Sequence, residues 1–194
     1  MEKRAELLKV KTANCPTGVV KASNPGNPVV VMETNMGKIE LELFKDKSPI
    51  SVENFLKYIK NGHYSGTIFH RIKSDFMIQG GGFTKDKKEK TKDLLPPIKN
   101  EADNGLVNKC GTISMARTNV VDSATAQFFI NVVDNNRLNH RGPGRRFGYA
   151  VFGQVLNGMD VVNKIKNIPT VNEGGPFVWM PSKTVEILKV TLKK

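Results

Sequence analysis

Two short runs separated by a tripeptide constrain this chain more than anything else in it. Ile68-Phe69-His70-Arg71-Ile72 is followed, after Lys73-Ser74-Asp75, by Phe76-Met77-Ile78-Gln79-Gly80-Gly81-Gly82-Phe83. The first run reads as a strand, in which successive side chains point to opposite faces. On that reading Ile68, His70 and Ile72 share one face, and Phe69 and Arg71 share the other. The second run opens on large apolar groups and ends in three glycines, which let a backbone bend and approach a ligand or another segment closely. A guanidinium, an amide (Gln79) and several apolar groups thus fall within one short hairpin, the material of a pocket with few polar groups. On pattern alone, a buried hairpin with an exposed arginine is an equally good reading.

The rest of the chain is strand-rich. Val29–Thr34 is apolar and β-branched, Asn35-Met36-Gly37 is a turn, and Lys38–Phe44 alternates. In that alternation Ile39, Leu41 and Leu43 lie on one face and Glu40 and Glu42 on the other, which predicts a hairpin with one wet face. Ser48 fits a helix N-cap with Pro49 at the first helical position. Val52, Phe55, Leu56 and Ile59 then keep helical spacing up to Asn61-Gly62. Further strands are predicted at Cys110–Ala116, Gln127–Val133, Tyr149–Leu156 and Thr184–Leu192, with a helix at Gly158–Asn167. Gln127, Phe129 and Asn131 should share a face. Pro96-Pro97 demands extended chain outside a central strand. Residues 1–27 read as a loosely ordered N-terminal extension, with Leu7–Val10 open to either a helix or a strand, and residues 28–194 as one domain.

Composition narrows the function classes. The chain has 194 residues, enough for one domain with a substantial core. No apolar run approaches the ~20 residues that span a bilayer, and the start lacks the apolar h-region of a secretory signal. A cytoplasmic location is therefore expected, with the periplasm as the alternative if a signal was removed before residue 1. The net charge of +12 favours acidic surfaces non-specifically. The basic run Lys85–Lys92 mixes signs and contains no aromatic residue, unlike a single-strand stacking platform, so it reads as a solvated loop rather than a nucleic-acid contact. His63, His70 and His140 are not at ligand spacing, which argues against zinc, and no metal or cofactor is expected. Gly80-Gly81-Gly82 lacks the Gly-Lys-Ser/Thr ending of a phosphate loop. Ser114, Ser123 and His140 lack a Gly-x-Ser-x-Gly elbow, so a hydrolase set is disfavoured. Cys15 and Cys110 are expected to stay unpaired, Cys110 as a small buried filler. His70, between Ile68 and Ile72, reads as a hydrogen-bonded core histidine.

Phe69-His70-Arg71-Ile72 with Phe76–Phe83 resembles the signature of the cyclophilins, the peptidyl-prolyl cis-trans isomerases. Gly111–Thr118, Ser123–Asn131 and Phe147–Gly153 are similar to further motifs of that family, in the same order. Pro97–Ala102 and Tyr149-Ala150-Val151-Phe152 resemble its bacterial branch. The resemblance covers about Pro28 to Leu192. It implies a mainly β fold: a closed eight-stranded antiparallel barrel capped by two helices. It implies an enzyme that accelerates rotation about X–Pro bonds and assists folding, with no covalent intermediate and no cofactor. A cyclophilin-fold binding module for Pro-containing segments, with incidental catalysis, is the alternative.

The resemblance also distributes roles. Arg71 matches the catalytic arginine. Phe76, Met77, Phe129 and Leu138 match the proline pocket. Gln79 matches a glutamine that orients the arginine, and Gln127 a further substrate contact. Ala116, Arg117 and Thr118 match the stretch whose backbone pairs with the bound peptide, with Arg117 where many relatives carry Asn. Tyr149 takes a position that is His in many eukaryotic members. One departure concerns inhibitors: Arg137 stands where many eukaryotic members have a tryptophan that contacts cyclosporin, so weak cyclosporin binding is expected. Pro-containing peptides and unfolded or partly folded proteins are the implied partners, with no membrane and a monomeric state.

Overall fold

The structure, a computed structural model, describes residues 14–193; the Leu7–Val10 segment lies outside them. Eight strands close into an antiparallel barrel: β1 (Val29–Thr34), β2 (Gly37–Leu43), β3 (Thr67–Lys73), β4 (Met77–Thr84), β5 (Thr112–Met115), β6 (Phe128–Asn131), β7 (Val151–Asn157) and β10 (Glu186–Leu192). Their order around the barrel is β1-β10-β3-β4-β6-β5-β7-β2, so every barrel strand has two neighbours and no free edge remains among them. A separate two-stranded ribbon, β8 (Thr170–Val171) with β9 (Met180–Pro181), lies outside the barrel. Two helices, α1 (Pro49–Lys60) and α2 (Met159–Lys166), complete the fold. This is the architecture that the resemblance implied. No helix of the described residues is long and apolar enough to cross a membrane.

The core follows from alternation on the strands and helical spacing on the helices. In the β1–β2 hairpin Val30 faces Leu41 and Met32 faces Ile39, and all four are fully buried. From α1, Val52 and Phe55 enter the same core with Leu56 and Ile59 packed against it; from α2 come Met159, Val162 and Ile165. Ser48 is the residue before α1, as expected, but its hydroxyl donates to the Val151 carbonyl (2.7 Å) and not to the helix. The open N–H groups of the first turn are met by Glu101, whose carboxylate accepts from Ile50 N (3.0 Å), Ser51 N (2.8 Å) and Ser51 Oγ (2.7 Å). A carboxylate at a helix N-terminus also complements the helix dipole.

Three expectations are corrected by the outer surface of β2 and the segment that crosses it. Glu42 is not on a wet face; it is fully buried. Residues 14–27, read from composition as part of a loose extension, are pinned across it. Glu42 accepts from Ser23 N and Oγ, Asn24 N, Asn27 Nδ2 and Gln154 Nε2, all between 2.7 and 3.1 Å. Burial alone would raise its pKa, but the bonds from Asn27, Ser23 and Gln154 prevail and bring it down to about 2. Cys15 and Cys110, expected to be unpaired, form a disulfide with a Cα–Cα distance of 5.9 Å. Cys15 is buried, and its carbonyl accepts from Asn163 Nδ2 of α2 (3.0 Å).

Candidate active site

The β3–β4 pair does not keep simple alternation. Phe69 is opposite Gly80 and Arg71 opposite Gln79, so two steps of β3 match one of β4. His70 is the extra residue of a β-bulge, and bulges re-aim the side chains beyond them. The phase read from sequence is therefore wrong: Phe69 and Ile72 both enter the main core. Ile68 packs with Phe83 and Met180 in a separate outer cluster. Arg71 is turned to the outside beside Gln79. Arg71 Nη1 donates to Gln79 Oε1 (3.3 Å), and Gln79 Nε2 donates to Gln127 Oε1 (3.0 Å). Gly82 makes the last link possible, because a Cβ there would meet Cγ, Cδ and Nε2 of Gln127 at 2.5–2.6 Å.

Arg71 and Gln79 stand at one side of a cavity of about 210 Å³, walled by Phe76, Met77, Ala116, Arg117, Phe129, Leu138 and Tyr149. On β6, Phe128 and Ile130 go to the core while Phe129 faces the cavity. The Phe129 and Tyr149 rings meet edge to face at 5.7 Å. Buried asparagines hold the loop that brings Leu138 and Tyr149 here. Asn108 Nδ2 donates to the carbonyls of Leu138 (3.2 Å) and Tyr149 (3.3 Å), and its Oδ1 accepts from Ser114 Oγ (2.8 Å) and Asn131 Nδ2 (3.2 Å). Asn135 Nδ2 donates to the Phe76 carbonyl at 2.8 Å. Gly148, at φ +87°, lies so close under Leu138 that a Cβ would be 2.6 Å from its carbonyl oxygen.

Nine of the residues singled out from sequence thus line one cavity. Gln127 lines the neighbouring cavity that shares Arg71 and Gln79, and Thr118 is not among the walls: Thr118 Oγ1 donates to Ser123 Oγ (2.8 Å) at an exposed position. The Arg117 guanidinium is engaged inside the chain, with Nε donating to the Gly148 carbonyl (2.9 Å) and Cζ 4.7 Å from the Tyr149 ring centroid. Arg137 is exposed, with its guanidinium 4.4 Å from the centroid of Phe76. Two sets of residues went unread in the sequence. The buried asparagines carry no periodic signal, and Trp179, whose ring lies against Arg71, belongs to a segment with no helix or strand pattern.

Two guanidinium groups wall the cavity, and Arg117 is the one tied to Gly148 and Tyr149. Burial lowers the Arg71 pKa from its usual value and the neighbouring Tyr149 opposes that; a guanidinium starts so high that it stays protonated. His70 is buried against the rings of Phe83 (4.7 Å) and Phe177 (6.4 Å). Burial, then the charge of Arg71, brings its pKa down to about 4. It is buried as expected of a core histidine, but it packs against the outer cluster and not the barrel core, and its Nδ1 has no hydrogen-bond partner. The disfavoured hydrolase set is dispersed among other partners: Ser114 on Asn108, Ser123 on the Val120 carbonyl, His140 Nδ1 on the Phe147 carbonyl. Among the described residues, no group of three or more His, Cys, Asp or Glu side chains is placed to hold a metal ion.

Comparison with known proteins matches this geometry. Residues 29–192 fit the family model of the cyclophilin type peptidyl-prolyl cis-trans isomerases. The chain is 53% identical over 175 residues to a peptidyl-prolyl cis-trans isomerase of Acinetobacter baylyi, covering 90% of each chain. It is 51% identical over 167 residues to peptidyl-prolyl cis-trans isomerase B of Escherichia coli, covering 86% of this chain and all of the other. The crystal structure of a Cryptosporidium parvum cyclophilin type peptidyl-prolyl cis-trans isomerase, obtained in the presence of the dipeptide Ala-Pro, superposes with a TM-score of 0.69 at 25% identity, covering 86% of this chain and 99% of that one. The barrel, the cavity beside Arg71 and these similarities together establish that the chain belongs to the cyclophilin-type peptidyl-prolyl cis-trans isomerases.

Proposed function

We propose that Arg71 is the catalytic group of this isomerase and that Phe76, Met77, Phe129 and Leu138 seat the substrate proline. The observation that carries this reading is a half-buried guanidinium held by Gln79 on the wall of a cavity to which Phe76, Met77, Phe129 and Leu138 also turn. Rotation about an amide C–N bond is opposed by ~18–20 kcal/mol of resonance, and uncatalysed X–Pro exchange takes on the order of tens to hundreds of seconds. In the twisted state conjugation is lost and the proline nitrogen regains a lone pair. A donor that bonds this nitrogen is stronger in the transition state than in either ground state, which is the condition for lowering the barrier. No bond to the protein forms and no proton need be transferred. The Arg71–Gln79–Gln127 chain fixes the donor's direction before substrate arrives, so less reorganisation is left for the reactive moment.

The chain segment 116–118 is proposed to pair with the substrate backbone, in the manner of an added strand; the N–H groups of Ala116 and Thr118 are already bonded to the Gln127 carbonyl and Ser123 Oγ, so the pairing falls on the Ala116 carbonyl and the backbone of Arg117. The test is exchange spectroscopy on a short X–Pro peptide. Catalysed exchange at substoichiometric protein supports the isomerase reading. Saturable binding without faster exchange supports the binding-module alternative.

Weak cyclosporin binding is proposed on the position of Arg137, a hydrated cation lying over the Phe76 ring where an indole would offer a flat apolar face. An inhibition curve for Arg137→Trp should show tightening by about 1–3 kcal/mol; no gain would assign the determinant elsewhere. A monomer is proposed because the whole cavity comes from one chain, and sedimentation equilibrium checks it. The Cys15–Cys110 pair supports an oxidising compartment over the cytosol expected from sequence. Thiol labelling of the protein in its own cells decides this: two reactive thiols would restore the cytosolic reading.

A further inference from the structure

Trp179 is more than a hundred positions from Arg71 in the chain, yet its ring lies against the guanidinium. Arg71 Cζ is 4.9 Å from the indole centroid, and Lys73 Nζ is 5.5 Å from the same ring. The segment that carries it is fixed to β3 right beside Arg71, since Ile72 N donates to the Trp179 carbonyl at 2.9 Å. Trp179 adopts φ +65°, a left-handed conformation rarely taken by bulky residues. Such a conformation persists only where the surroundings over-determine it, and such residues gather at functional sites. Here a 3₁₀ turn at Gly175–Phe177 precedes it and the β8–β9 ribbon follows at Met180.

We propose that Trp179 is a positioning residue for Arg71. It holds the guanidinium through its π face and leaves the in-plane N–H groups to the substrate. The chemistry favours an aromatic partner over an acid. A carboxylate would bond the guanidinium fork side-on, occupy two donors and neutralise the charge that acts on the proline nitrogen. An indole face attracts the cation with no hydrogen bond at all, and indole is the best of the aromatic rings for this. Gln79 then fixes Nη1 from the edge while Trp179 fixes the plane. Trp179 also walls a second cavity of about 580 Å³, which shares Arg71 and Gln79 with the proline cavity and adds His70, Phe83 and Gln127. The indole is therefore placed to respond when peptide occupies the neighbouring site. This inference rests on the reading of Arg71 as the catalytic group.

Trp179 is the only tryptophan in the chain, so its fluorescence reports this one ring, which faces Arg71 and Lys73. The experiment compares Trp179→Leu, Trp179→Phe, Arg71→Ala and the Arg71→Ala/Trp179→Leu pair in exchange kinetics on one X–Pro peptide. Trp179→Leu, which keeps an apolar side chain but has no π face, should lower kcat roughly three- to thirtyfold. KM should stay within about twofold, and Trp179→Phe should recover most of the loss. In the Arg71→Ala background Trp179→Leu should change nothing further, because the partner is already gone. Arg71→Ala with its tryptophan intact should shift the emission of a protein whose circular dichroism is unchanged, an arm that does not depend on any Trp179 variant folding. Normal kcat in Trp179→Leu, equal losses in both backgrounds, or unchanged emission in Arg71→Ala would each overturn the proposal. If Arg71→Ala retains full kcat, the catalytic assignment of Arg71 falls, and this inference with it.

Discussion

His70 and Arg71 are adjacent in sequence and, across the bulge, both reach the cavity beside Trp179, but they differ in burial and charge. His70 is buried among aromatic rings with its pKa near 4, while Arg71 also reaches the proline cavity as a permanent cation. The sign of the resulting pH dependence follows directly. Between about pH 6.5 and 4 the unfolded chain binds a proton at His70 that the folded chain refuses. His70's contribution is intact above about pH 6.5 and is lost as the pH falls toward 4, by on the order of 3 kcal/mol. Burial lowers the pKa of His63 as well, so it adds to the same trend. Urea melts at pH 7 and pH 5 should show roughly half of this loss, since pH 5 is still above the folded pKa, and His70→Phe should reduce it. Turnover, in contrast, should be flat between about pH 6 and 8, since neither Arg71 nor His70 changes charge there; a bell-shaped rate profile abolished in His70→Phe would overturn the core assignment. Arg71, Gln79 and the apolar walls could be picked out from the sequence because they sit in contiguous motifs. Trp179 could not, because its role is a long-range contact made by an irregular loop.

On the proposed reading the β3–β4 hairpin carries most of the chemistry as an element, and its glycines act through space as well as through backbone freedom. Gly82 is where the Gln127 side chain rests. Gly82→Ala would push that carboxamide aside and break the Gln79–Gln127 bond (3.0 Å). The displaced group is the end of a flexible side chain, so the melting temperature should change little. Activity should fall roughly two- to tenfold, the value of one hydrogen bond. Steady-state kinetics on the single and double variants check this: Gly82→Ala/Gln127→Ala should be no worse than Gln127→Ala, and full activity in Gly82→Ala would contradict the arrangement. Strand existence was legible from alternation, but phase was not. A bulge adds one residue to one strand without changing composition, and every face beyond it is reassigned. The cap of α1 failed to appear in the sequence for a related reason: Glu101 lies some fifty residues from the N–H groups it satisfies, beyond any local capping pattern.

At the scale of the molecule, the barrel is closed by its strands and then fastened from outside by residues 14–27. Pairing Cys15 with Cys110 closes a loop of 95 residues. Loops of that length give a disulfide about 2–5 kcal/mol through the unfolded state. Reduction should therefore lower the melting temperature by roughly 5–15 °C. Turnover at 25 °C should persist, since neither cysteine lines the cavity. A calorimetric scan with and without dithiothreitol checks both, and an unchanged midpoint would show that the disulfide contributes nothing. The arm's charge-poor, turn-rich composition hid this docking, because what holds it is Glu42, buried on a strand face that alternation alone assigns to water.

The central claim is that this fold presents one guanidinium to the nitrogen of a twisting X–Pro bond. The most direct measurement is exchange kinetics and equilibrium binding of the same X–Pro peptide by the wild type and Arg71→Ala. Turnover should fall roughly 10²- to 10³-fold, as for the loss of one preorganised donor, with peptide affinity changed only a few-fold because the proline cavity is intact. Equal losses in turnover and affinity, or an Arg71→Ala enzyme that still turns over at the wild-type rate, would contradict it.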